Sequence, residues 1–327
     1  DVEGSTKQVA AIWLYQTTYD TTVKDSKFFV GENKGNQYAS AIMIWNGQNI
    51  TLTGNEATGY ARFANIDGSN TVVISGNTGK NMVGPLSIGN DVKGGMFVNI
   101  ATTQGNATKY TASFTMTGNK ISGDSNFIPA QIYPSNTNRT GITNLTADCD
   151  LVVKGPLAVN GAMNVNGNIT TEGEVAGVDP KIAIEANGSV TVPAGKTLSL
   201  SEDASMDVDS EGTLTVDGKL VVAGKLEGSV AGAGNVIVQA GADVSNATFA
   251  PETQVGGDSS SMSEMIVGGD SKTEETLFGV DQIITVSKEA GYWNLVKGAT
   301  IGIAGKLVVP EGTTLTVQAG AELYFLN

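Results

Sequence analysis

From Leu151 onward the chain sets pairs of aliphatic residues, two positions apart, at a fixed stride. The segment LVVKGP-LAVNGA-MNVNGN-IT places Leu151, Leu157, Met163 and Ile169 six residues apart, with Val153, Val159 and Val165 in the same phase. The stride then lengthens to eight. Ile182, Val190, Leu198, Met206 and Leu214 keep that interval, as do Ile184, Val192, Leu200, Val208 and Val216. It shortens at Leu220/Val222 and resumes with Ile301/Ile303, Leu307/Val309, Leu315/Val317 and Leu323/Phe325. Residues i and i+2 share one face of a strand, so each unit is predicted to send two apolar side chains inward. Gly155, Gly161 and Gly167 close the units and are predicted to turn the chain at positive φ. Short strands coiling in one sense as a parallel β-solenoid fit this pattern. An antiparallel meander or sandwich also fits an eight-residue stride, and the mixture of six and eight tips the reading toward the solenoid.

Residues 1–146 lack this regularity but carry strand-like segments such as VAAIWLYQ, SAIMIWNG, NTVVISG and KYTASFTMTG, tipped by Gly, Asn and Asp. The expected architecture is all-β. It comprises a β-sandwich-like domain over 1–146, a β-repeat domain over 147–250, a polar insertion loop over 251–280 containing GGDSSSMSE, and a continuation of the repeat over 281–327. The first residue is Asp1 rather than Met, which reads as a chain whose secretion signal has been removed. No apolar run approaches the roughly 20 residues of a membrane-spanning helix. Sequons at Asn49, Asn106, Asn138, Asn144, Asn168, Asn187 and Asn246 permit glycosylation, in a number near what the composition alone produces.

The phrases VPAGKTLSL, SEGTLTVDGKLVVAGKLEGS, AGNVIVQAGADV and VPEGTTLTVQAGAELYFLN resemble the repeats of bacterial and archaeal cell-surface proteins: surface-layer, sheath and adhesin subunits. Within that class the resemblance points to a methanogen sheath protein. GPLAVNGAMNVNGNIT also resembles segments of phage tail fibres. The resemblance to cell-surface proteins covers about 147–250 and 299–327 and implies an extracellular, cell-surface location and self-assembly. It carries no catalytic residue.

Charge and composition close off several chemistries. Net charge is −14, and Arg62 and Arg139 are the only arginines, which disfavours nucleic acid and anionic lipid as partners. The chain has no histidine, so histidine-activated nucleophiles, histidine proton relays and most zinc or iron sites are excluded. A carbohydrate-active enzyme using carboxylates alone stays open as a third reading, but no carboxylate pair stands out among the 33 acids, and the expectation is no enzyme. Asp207, Asp209 and Glu211 alternate with apolar positions, and their oxygens could hold Ca²⁺; the plainer reading is a solvated strand face. Cys149 is the only cysteine. It is either a small core residue, in phase with Leu145, Ala147, Leu151 and Val153, or an intersubunit crosslink.

Both ends of the chain carry apolar strands. Val9, Ile12, Trp13 and Leu14 near the start, and Leu323, Tyr324 and Phe325 near the end, are the candidate assembly residues, since an exposed strand edge templates further pairing. The expected function is a secreted structural subunit that self-assembles into a cell-surface sheath, surface layer or filament, with copies of itself as partners. The alternative is an adhesin or phage-fibre-like protein that binds cell-wall or surface glycans.

Overall fold

The computed structural model describes residues 2–3, 9–31, 33–34, 39–69, 71–83, 96–102, 111–123, 128–134, 140–172, 179–239, 242–250 and 253–257, and beyond them the strands Thr276–Phe278, Ile283–Val286, Tyr292–Leu295, Thr300–Ile303, Lys306–Val308, Thr314–Val317 and Glu322–Phe325. Among these residues the regular structure is strand, and the strand pairings are parallel. The all-β expectation holds. The expectation of an N-terminal sandwich followed by a solenoid, and the antiparallel meander or sandwich that stood beside it, are overturned by the pairing. In each of the chain's two compact units one long strand forks the ladder by pairing with two partners, an arrangement that a coil of one strand per side does not contain. The physical basis is strand length. Thr140–Ala147 is long enough to pair with Pro156–Val159 through its first half and with Ala162–Val165 through its second. Lys225–Ala231 does the same for Ser205–Val208 and Thr213–Val216.

The chain forms two compact units, 1–167 with 175–178, and 168–174 with 179–327. In the first unit three parallel sheets run side by side, one strand from each making a rung. The first sheet orders Val9–Tyr15, Ala39–Trp45, Arg62–Asp67, Met96–Thr102, Ile128–Pro134 and Leu151–Val153. The second orders Thr21–Lys24, Ile50–Thr53, Thr71–Ser75, Thr111–Thr117 and Thr140–Ala147, and the third Lys27–Phe29, Glu56–Thr58, Thr78–Met82 and Lys120–Gly123. A sandwich over 1–146 is therefore absent from the described residues. Each strand pairs with its counterpart one rung on, and not with its neighbour in sequence.

Inward positions form the core. Ile42, Ile44, Ile50, Leu52, Ile66, Val72, Ile74 and Val98 are fully buried. Each such side chain contributes on the order of 1.5–3 kcal/mol by leaving water. The turns between second and third sheets stack as well. Gly54, Gly76 and Gly118 take left-handed φ of 66°, 62° and 64°, and the residue after each is Asn55, Asn77 or Asn119.

In the second unit the eight-residue stride acquires its meaning. Lys181–Ile184 pairs with Ser205–Val208, and Ser189–Val192 with Thr213–Val216, with Ile182 opposite Met206 and Val190 opposite Leu214. Three octads thus make one circuit, and strands adjacent in sequence lie on different sides. All ten octad positions are buried, as are Leu151, Leu157, Met163 and Ile169 in the six-residue stretch. The glycine expectation needs correcting. Neither Gly161 nor Gly167 has positive φ; a Cβ on Gly161 would instead overlap the carbonyl oxygen of Thr143, and one on Gly167 that of Cys149. These glycines are required because backbone packs on backbone.

Candidate functional site

Among the described residues the strands Val9–Tyr15, Thr21–Lys24 and Lys27–Phe29 are each the last in their sheet order, paired on one side only, with Ala39–Trp45, Ile50–Thr53 and Glu56–Thr58. In a parallel sheet a strand with one neighbour leaves alternate N–H and C=O groups directed away from it. The side chains of this rung tell the same story. Ile12 lies opposite Ile42, Leu14 opposite Ile44, Val23 opposite Leu52 and Phe28 opposite Ala57. The second partner in each pair is 0% exposed, while each first partner is only half-buried. Among the described residues the apolar core is less covered at this rung than one rung further on.

An asparagine ladder holds the turns of these rungs together. Asn55 Oδ1 accepts the Ser26 N–H at 3.1 Å, Asn77 Oδ1 accepts the Asn55 N–H at 3.0 Å, and Asn119 Oδ1 accepts the Asn77 N–H at 3.0 Å. Their amide nitrogens donate inward to the carbonyls of Val23, Leu52 and Ile74. The expected candidates did not include these residues, although the tripeptides Thr53-Gly54-Asn55, Ser75-Gly76-Asn77 and Thr117-Gly118-Asn119 recur in the sequence and would have revealed them. Beside the ladder, Lys80 Nζ meets Glu56 Oε2 at 2.6 Å, and this hydrogen bond holds the Glu56 carboxyl below its ordinary range.

The outer face of the first sheet begins with aromatics and continues with buried amides. Trp13 and Tyr15 are 49% and 54% exposed, and Trp45 lies opposite Tyr15 on the next strand. Trp13 and Trp45 stack with centroids 6.2 Å apart and planes 13° apart, and Tyr15 meets Trp45 edge-on at 5.4 Å. Further along, in register, Asn99 Nδ2 donates to Asn65 Oδ1 at 2.7 Å, Gln131 Nε2 to Asn99 Oδ1 at 3.1 Å, and Arg62 to Asn65 at 3.0 Å. All four are buried. The Asn99–Asn65 and Gln131–Asn99 bonds join neighbouring strands, while Arg62 and Asn65 belong to the one strand Arg62–Asp67.

Of the expected assembly residues, Val9, Ile12, Trp13 and Leu14 share the terminal strand just described. Val9 and Trp13 face outward, and Ile12 and Leu14 face the core. Leu323, Tyr324 and Phe325 lie in Glu322–Phe325, which is also last in its sheet order, beyond Thr276–Phe278 and Thr300–Ile303; Leu323 is half-buried, and the side chains of Tyr324 and Phe325 lie outside the described residues. Lys306–Val308 and Thr314–Val317 end the other two sheets there. The stretch GGDSSSMSE lies within 258–275 apart from its first residues, and 258–275 is outside the described residues.

The acidic trio does not sit on one strand. The strand ends at Val208, with Asp207 3.3 Å from Lys181 Nζ. Asp209 starts a turn in which its Oδ1 accepts the Glu211 N–H at 2.9 Å and the Gly212 N–H returns to its carbonyl at 2.9 Å. Among the described residues no group of three or more acids or cysteines is arranged to hold a metal ion. Cys149 lies in a turn between Thr140–Ala147 and Leu151–Val153, partly exposed, whereas Ala147 and Leu151 on either side are buried. Burial, with the charges of Asp148 and Asp150, pushes its thiol up to about 12.

Compared with known proteins, the chain matches no family model, no curated protein and no solved structure.

Proposed function

We propose that this chain is a structural, non-catalytic subunit that polymerises end to end, the terminal rung of one copy pairing with the strands that end the sheets of the next. The carrying observation is the terminal rung. Four inward apolar side chains there are half-buried while their register partners are sealed, and three backbone edges lie in the same rung. A parallel strand from a second copy would satisfy the edges and cover the apolar groups in one step. The contact joins unlike surfaces, so it repeats without closing and generates a filament or sheath. The acidity of the chain, with 33 acids against 19 bases, keeps separate copies soluble. The resemblance of its repeats to those of surface-layer and sheath subunits supports secretion and a cell-surface location.

Electron microscopy of the purified protein tests the proposal. Ordered polymers are expected from the native chain, and monomers with unchanged circular dichroism from Ile12→Lys, which places a charge at the terminal edge. A native chain that stays monomeric at high concentration, or an Ile12→Lys variant that still polymerises, would sink it.

A further inference from the structure

The aromatic row on the outer face of the first sheet is not explained by edge pairing. In a strand, successive side chains point to alternate faces of the sheet, while the pairing edge lies in its plane. Trp13 and Tyr15 therefore stay exposed when a second copy adds beside Val9–Tyr15.

Three features of the row specify its ligand. The rings brace one another: Tyr15 stands edge-on to Trp13 at 6.5 Å and 84°, and to Trp45 at 5.4 Å and 84°, so little side-chain freedom is left to lose on binding. The perpendicular rings are in mutual contact, which leaves no space between them for an ammonium group; what they offer to solvent is flat ring surface, with the two indoles 13° from parallel. The two strands that carry the rings, and the turns that follow them, are uncharged. Residues 9–19 and 39–49 contain no Asp, Glu, Lys or Arg, and the amides of Gln16 and Asn46 directly follow Tyr15 and Trp45 in stacked turns, the Gln16 N–H donating to the Trp45 carbonyl at 2.8 Å. Asp67, beside Trp45 on the next strand, is buried.

Flat aromatic surface flanked by neutral amides fits a ligand with an apolar C–H face and a rim of hydroxyls. We infer that Trp13, Tyr15 and Trp45 form a binding site for the pyranose rings of a neutral glycan. The sugar's C–H face lies on an indole, and its hydroxyls exchange hydrogen bonds with Gln16 and Asn46. A filament of such subunits carries one site per copy along its flank, where weak single contacts add up.

Tryptophan emission, titrated with cellohexaose, laminarihexaose, chitohexaose and, separately, choline chloride, tests the site. At least one hexasaccharide is expected to shift the emission saturably. Trp13→Ala and Trp45→Ala are each expected to weaken that binding by about tenfold or more, with circular dichroism unchanged, and Trp293→Phe to leave it intact. No response to any of the three sugars, a response to choline alone, or full binding by Trp13→Ala would overturn the inference. Because Trp45 lies on the second strand, paired on both sides and off the terminal edge, Trp45→Ala is expected to polymerise as the native chain does, so failure of the sugar site and failure of the assembly reading are read separately.

Discussion

Asn77 Oδ1 accepts two hydrogen bonds from Asn55, one from the backbone N–H and one from the side-chain Nδ2, both at 3.0 Å. The same Asn77 passes its own N–H and amide to Asn119 Oδ1 and donates to the Leu52 carbonyl at 2.9 Å. Both Asn55 and Asn77 are buried, so their polar atoms have exchanged water for each other.

Asn77→Ala leaves the Asn55 N–H without its acceptor, takes a donor from the Leu52 carbonyl and leaves the Asn55 amide only its bond to Val23. A destabilisation of about 2–4 kcal/mol is expected, since each buried group left without a partner costs about 1–3 kcal/mol. Urea unfolding followed by circular dichroism measures it, and a shift below about 0.5 kcal/mol would show the ladder idle.

Glycines in this chain fall into two kinds that substitution separates. Gly161→Ala drives a methyl into the Thr143 carbonyl, so backbone has to move, and a loss of about 3 kcal/mol or more in stability is expected. Gly195 has φ +74° and nothing within 4 Å, so Gly195→Ala costs about 1–2 kcal/mol of backbone strain alone. Equal melting shifts for the two would contradict the close approach.

The Cys149 thiol is raised in the folded chain by burial first and by Asp148 and Asp150 second. The unfolded thiol loses its proton at lower pH than the folded one. Its contribution to stability is therefore complete below pH 9 and declines as pH rises from about 9 toward about 12. Cys149→Ser should flatten that decline in melting curves. At pH 8 a thiol reagent should react with the unfolded chain and only slowly with the native one, and reductant should leave polymers intact.

Asp209 is occupied by its turn and Asp207 faces Lys181. Adding CaCl₂ or a chelator is expected to move the melting temperature by less than about 1 °C. A saturable rise with Ca²⁺, abolished by Asp209→Asn, would return these acids to a metal site.

The inward aliphatic pairs could be read from the sequence because their two-residue phase is local: Val190 and Val192 point to one side whichever strand comes to lie beside them. The ladder was equally present in the recurring Ser/Thr-Gly-Asn, yet spacings of 22 and 42 residues between Asn55, Asn77 and Asn119 concealed a repeat whose rungs differ in length. The aromatic row was legible only as two tryptophans 32 residues apart, since it is the register of Tyr15 with Trp45 that makes them neighbours.

The sequence by itself determined that the chain is built of short strands and which side of each strand is apolar, because alternation along a strand depends on nothing beyond it. Which strands pair, in what direction, and where the stacking stops leaving an open edge were decided by the tertiary structure. Backbone hydrogen bonding is indifferent to side-chain identity, so an eight-residue stride permits both a hairpin to the next octad and a circuit of three octads. The choice rests on the close backbone contacts at Gly161 and Gly218 and on the long strands Thr140–Ala147 and Lys225–Ala231, which become visible only once the strands within each unit have paired.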